Sequence, residues 1–159
     1  MPLVYFDASA SVKLLAEEEG SELAAQLWDG CDAAVASRLA YPEVRAALAA
    51  AGRNQDLDSR HLANAERAWE GYWAATRAVE FTAAVERHAG ELARLHALRG
   101  ADAVHLASAL AIGDSDLIVA VWDMRLHEGA RAVGLRVAPA ELVPHQHGGR
   151  PKPERTEPA

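Results

Sequence analysis

The chain has 159 residues, half of them hydrophobic and a quarter charged, with a formal net charge of −7, which suits one soluble domain burying roughly 70% of the surface its unfolded form exposes. That acidity excludes a nonspecific coat on nucleic acid, and a single cysteine, Cys31, excludes an internal disulfide and a cysteine-built zinc site. No apolar run approaches ~18 residues and no basic-then-apolar leader is present, so neither membrane spanning nor secretion is expected and the default compartment is a reducing cytoplasm.

In chain order, Leu3-Val4-Tyr5-Phe6 is a continuous apolar run that breaks at Asp7, with Ser9 two places on. Such a run reads as a strand covered on both faces, delivering a carboxylate to the rim of a parallel sheet. A helix follows over Ser9 to Glu19, capped by Ser9, and Gly20 ends it. A second helix spans Ser21 to Asp29, and Ala33 to Ala36 forms a short strand. Ser37 is placed to cap the next helix, which carries Leu39, Val44 and Leu48 and either kinks at Pro42 or begins there. Glu43 then lies near its amino end. Asp58 to Arg77 forms a longer helix whose face of Leu62, Trp69, Tyr72 and Trp73 reads as core or subunit contact rather than a base-stacking platform. Ala78 to Phe81 is a third strand, with Thr82 capping a helix from Ala83 to Leu98. Asp102 opens another helix after Gly100. The fourth strand, Leu117 to Trp122, again ends in a single acid, Asp123, and a helix runs from Met124 to Val133. Gly134 suits a left-handed turn before a last strand at Leu135 to Val137. Strands alternating with helices imply a parallel sheet with helices on both faces, in one domain over 1–143. The tail, 144–159, is rich in Pro, Gly, His and charge and is expected to be disordered.

Four acids therefore occupy similar places: Asp7 and Asp123 after strands, Glu43 and Asp102 at helix starts. Each has a purely structural alternative: Asp7 as a simple strand-end residue, Glu43 and Asp102 as complements to a helix dipole, and Asp123 as a helix cap. If they converge, their repulsion would protonate some of them unless cations share the site. Carboxylates without histidine or cysteine partners are hard oxygen ligands, which favours Mg²⁺ or Mn²⁺ over Zn²⁺. Such ions activate water and hold a phosphodiester in line for hydrolysis. Arginine supplies every positive side chain but Lys13 and Lys152, and arginine matches phosphate oxygens well. Arg38, Arg45 and Arg125 lie near the acids in sequence and could receive phosphates or be solvated or ion-paired, His105 lies one turn from Asp102 and could touch the site, and Trp122 adjoins Asp123 as a core residue. His105 is expected mainly to pack against a neighbour. His145 and His147 in the tail are expected to have no metal role.

The motifs Phe6-Asp7-Ala8-Ser9, Ser37…Glu43-Val44, Gly100-Ala101-Asp102-Ala103-Val104 and Trp122-Asp123-Met124-Arg125-Leu126, in that order, resemble a PIN-domain ribonuclease of the VapC toxin type. The resemblance implies a three-layer α/β/α sandwich with a parallel five-stranded sheet of order 3-2-1-4-5. It implies Mg²⁺-dependent endonucleolytic cleavage of RNA leaving a 5′-phosphate, with Mn²⁺ as a substitute ion. It implies a homodimer that acts as the toxin of a type II toxin–antitoxin system and is inhibited by a VapB-like antitoxin. Carried onto this chain, Asp7, Glu43, Asp102 and Asp123 form the acidic quartet, Asp7, Asp102 and Asp123 hold metal, and Ser9 supports them. Val121 departs from the pattern, since the family often has Thr or Ser two residues before the last acid. The alternative of another class is a PIN-like module that binds RNA or protein without cutting. An aspartyl-nucleophile phosphatase would need a second Asp where Ser9 stands.

Overall fold

The computed structural model describes residues 1–144. The expected tail, with His145 and His147, lies outside the described residues apart from Pro144. The five strands are β1 (Leu3–Phe6), β2 (Ala33–Ser37), β3 (Arg77–Val79), β4 (Ile118–Ala120) and β5 (Arg136–Ala138). They form one sheet of order β3-β2-β1-β4-β5, parallel throughout. The chain steps outward from β1 to β2 and β3, then crosses back to β4 and β5. The sheet's direction of growth therefore reverses between β1 and β4, where a parallel sheet opens a crevice at its carboxyl edge.

Among the described residues, seven helices cover the two faces: α1 (Ala8–Lys13), α2 (Ser21–Gly30), α3 (Ala40–Arg53), α4 (Ser59–Ala74), α5 (Ala83–His96), α6 (Gly100–Ala111) and α7 (Met124–Ala132). Side chains alternate across a strand, and β1 divides its apolar run accordingly. Tyr5 joins Val35 and Val119 in a core with Val85, Leu92, Leu106 and Leu126 from α5, α6 and α7. Val4 and Phe6 point the other way, against Ala10, Leu14, Leu27 and Trp28. Behind them, α3 and α4 close a third cluster around Val44, Leu48 and Trp69. Trp69 is 2% exposed and Trp28 meets Tyr72 edge to face, so the aromatic face of α4 is core, as its spacing implies. No helix among the described residues is long and apolar enough to cross a membrane.

Several element ends differ from the sequence expectation. The first helix is short: Leu14 and Leu15 turn their N–H groups to the carbonyls of Ser11 and Val12, tightening the chain into a turn before Gly20. Its cap is Asp7 rather than Ser9, because Asp7 Oδ1 accepts from the Ala10 N–H. Pro42 neither kinks nor starts α3. It is the third residue of a helix beginning at Ala40, inside the first turn, where an N–H has no intrahelical partner to lose. Ser37 does not provide a side-chain cap for that helix; its hydroxyl accepts from the Leu39 N–H. Asp58 caps α4, which stops at Ala74 so that Arg77 pairs with Val35 in the sheet. Thr82 caps α5 and Gly134 takes a left-handed φ of 83°, both as expected.

Candidate active site

The carboxyl edge of β1 and β4 gathers the acids. The Asp7 N–H meets the Ala120 carbonyl at 3.4 Å, extending the pairing of the two strands by one step. Ser9 ties the crossing point: its hydroxyl donates to Asp7 Oδ1 at 2.6 Å and accepts the Trp122 N–H at 2.8 Å. Asp123 follows one residue later and caps α7, with Oδ1 accepting from the Leu126 N–H at 3.0 Å. Both strand-end acids are therefore helix caps, and both cap with Oδ1. Capping leaves the second oxygen of each carboxylate for other work. Asp123 Oδ2 faces Arg99. Asp7 Oδ2 has no hydrogen-bond partner among the described residues and is not sealed from solvent.

Asp7 is 3% exposed. Burial drives its carboxyl up from 3.8 to about 6, against the opposing pull of His105, the Ser9 hydroxyl and the Ala10 amide; the charge of Asp123 adds to the rise. Glu43 enters from the first turn of α3 and meets His105 Nε2. His105 is buried on α6, and its Nδ1 lies 2.7 Å from the Tyr5 hydroxyl. The Tyr5 oxygen in turn accepts the Ser37 N–H at 3.2 Å. Burial pulls the His105 ring toward neutrality, but the Glu43 hydrogen bond and the charges of Asp7, Glu43 and Asp102 outweigh it and hold its pKa above the usual value. In either protonation state with Tyr5 as its Nδ1 partner, Nε2 carries the proton that faces Glu43.

Asp102 lies in the first turn of α6 and is mostly buried. Its Oδ2 accepts from Arg99 Nε at 3.0 Å, and Arg99 Nη2 donates to Asp123 Oδ2, also at 3.0 Å. One guanidinium thus bridges two of the four acids. Among the described residues, no three His, Cys, Asp or Glu side chains stand close enough to hold a metal ion. The donor set fits a hard cation in composition, with one carboxylate oxygen of Asp7 open and one oxygen each of Asp102 and Asp123 occupied by the Arg99 guanidinium. A groove of about 540 Å³, lined by Lys13, Gly20, Leu23, Trp122 and Pro139 among others, adjoins the site through Trp122. None of the four acids lines it.

The structure brings Asp7, Glu43, Asp102, Asp123 and Ser9 to one edge. It does not bring the arginines that sequence proximity suggests. Arg38 pairs with Glu80, and Arg45 pairs with Glu66 and Glu70. Arg125 makes no ion pair among the described residues and lines a depression with His96 and Glu128. Arg99 was not visible as a site residue in the sequence, and His105 belongs to the site instead of merely packing beside it. The signal for His105 was its placement one turn from Asp102; for Arg99 it was a cation just before the same helix.

A family model described as PIN domain matches residues 4–123, a span that includes all four acids. The chain belongs to the PIN-domain family. Within that family it is similar to the ribonuclease VapC45 of Mycobacterium tuberculosis, at 75% identity over 144 residues, covering 91% of this chain and 100% of the relative. Among solved structures, a toxin–antitoxin complex from Klebsiella pneumoniae matches with a TM-score of 0.62 at 14% identity, over 88% of this chain and 99% of that one. The Mycobacterium tuberculosis toxin VapC20, described as cleaving the sarcin-ricin loop, matches with a TM-score of 0.61 at 20% identity, over 83% and 95%. These two likenesses concern the fold alone.

Proposed function

We propose that the protein is a metal-dependent endoribonuclease and the toxin of a toxin–antitoxin pair. The observation that carries this reading is the convergence of Asp7, Glu43, Asp102 and Asp123 at the switch point of the sheet. Buried Asp7 there presents an unpartnered oxygen beside three other acids. The reading is also supported by 75% identity with a relative named as a ribonuclease. Asp7, Asp102 and Asp123 would hold Mg²⁺, or Mn²⁺ in its place, and Glu43 would complete the acidic quartet. When bound, the ion supplies a polarised water and charge stabilisation at the scissile phosphodiester. The chain's own residues do the rest. Ser9 fixes the Asp7 carboxylate and the start of the 122–123 segment together. His105, anchored by Tyr5, holds Glu43 in one orientation with its carboxylate at the pocket. An RNA strand is the substrate this arrangement suits, with a VapB-like antitoxin as inhibitor and a homodimer as the assembly.

One feature favours a second reading, a module that binds RNA or protein without cutting. Arg99 already pairs with Asp102 and Asp123, as in a purely structural ion-pair network. The two separate in a cleavage assay on purified protein with a structured RNA. Cleavage in Mg²⁺ that stops with chelator and is absent from Asp7→Asn establishes the nuclease; RNA that is bound yet intact at saturating Mg²⁺ establishes the module.

A further inference from the structure

The two oxygens that Arg99 contacts belong to Asp102 and Asp123, two of the three acids that would hold a divalent ion. Arg99 sits at the N-cap of α6 in an extended conformation, so its side chain lies against the first turn, where Asp102 is. Its Nε and Nη2 donate to Asp102 Oδ2 and Asp123 Oδ2, each at 3.0 Å, from one planar fork. The two carboxylates come from different elements, the start of α6 and the end of β4. The guanidinium is therefore what draws them together while offsetting their repulsion. Its own side chain is 60% exposed, whereas the Asp102 side chain is 11% exposed. The acid is fixed and the cation is at the mouth, free to swing into solvent. A divalent ion shared by Asp102 and Asp123 would stand beside this guanidinium, and the two positive charges would repel strongly.

We infer that Arg99 is an exchangeable internal cation: it holds Asp102 and Asp123 together in the metal-free chain and must leave both before a divalent ion bridges them. This rests on the metal-site reading above. Its consequence is that metal binding is a competition, with the free protein keeping the Asp102–Asp123 repulsion partly offset at low ion concentration.

The test is a Mn²⁺ titration of the full chain without RNA, read by isothermal calorimetry and by electron paramagnetic resonance, together with thermal melts with and without Mn²⁺. Arg99→Gln is exposed enough to fold, and it should bind Mn²⁺ about 5-fold more tightly or better than wild type, the scale of a typical coupling between competing ligands. It should melt lower than wild type in chelator, and saturating Mn²⁺ should close the gap. Arg38→Gln removes the same charge far from the acids, on the Glu80 pair, and should leave the affinity at the wild-type value. Equal Mn²⁺ affinity in wild type and Arg99→Gln, or equal tightening by Arg38→Gln, overturns the exchange while leaving the metal site standing. Absence of Mn²⁺ binding in both wild type and Arg99→Gln overturns the exchange and the metal reading together.

Discussion

Asp7→Asn should make the metal-free protein more stable while removing its activity, and the size of the effect follows from the burial of this carboxyl. Its pKa stands at about 6 in the fold against 3.8 in the exposed state, with desolvation as the largest cause. A folded-state pKa raised above the unfolded one means that the stabilising contribution is complete below about 3.8 and is lost as pH rises through about 6. At pH near 7.5 the buried ionised carboxylate therefore costs about 3 kcal/mol relative to acidic solution. Asparagine never ionises. Its Oδ1 can still accept from the Ser9 hydroxyl and the Ala10 amide, and its NH₂ takes the place of the oxygen that reaches solvent. The variant should gain up to about 3 kcal/mol, less whatever the pairing of Asp7 with His105 contributes, or several degrees in melting temperature for a chain of this size. Melts in chelator near pH 7.5 and near pH 4.5 measure it, with the full gain present at the first and only about a third of it, about 1 kcal/mol, left at the second. A wild type at least as stable as Asp7→Asn near pH 7.5, or a difference that does not change with pH, would refute the argument.

Three further outcomes follow from the same geometry. Ser9→Ala removes the donor to Asp7 and leaves the Trp122 N–H without its partner, so urea unfolding should show a loss of about 1–3 kcal/mol. Gly20→Ala places a Cβ 2.5 Å from the Trp122 indole nitrogen at a φ of +91°, and denaturation should register more than about 1 kcal/mol of destabilisation. His105→Ala removes the contacts to both Tyr5 and Glu43; RNA cleavage should fall at least about 10-fold through lost orientation of Glu43, while Mn²⁺ binding at Asp7 persists.

The strand ends were legible because they are local. An apolar run broken by one acid marks both Leu3 to Asp7 and Leu117 to Asp123, and the alternation of strands and helices is enough to give a parallel sheet. The order of the strands came from the motif resemblance, and the pairing of Phe6 with Ala120 agrees with it. What stayed hidden is what depends on distance across the fold. Glu43 and His105 belong to different elements, and nothing near either residue marks the other as its partner. Arg99 reaches Asp123 only because β4 returns beside β1. Arg38 and Arg45 were plausible by proximity, but each is on the surface and each finds a nearer acid in a neighbouring element. Arg77 was absorbed into the preceding helix because helical spacing alone cannot register the pull of pairing with Val35. The double use of Asp7 and Asp123, one oxygen capping and one left over, is also out of reach of the sequence, which sets capping against ligation at Asp123 and points to Ser9 as the cap of the first helix.

The most direct trial of the account is anomalous diffraction from crystals of the full chain soaked in Mn²⁺. The account predicts an anomalous peak in contact with Asp7 and at least one of Asp102 and Asp123, with the Arg99 guanidinium withdrawn from the carboxylates it contacts. Crystals that take up Mn²⁺ only elsewhere, with Arg99 still clasping both acids, would contradict it.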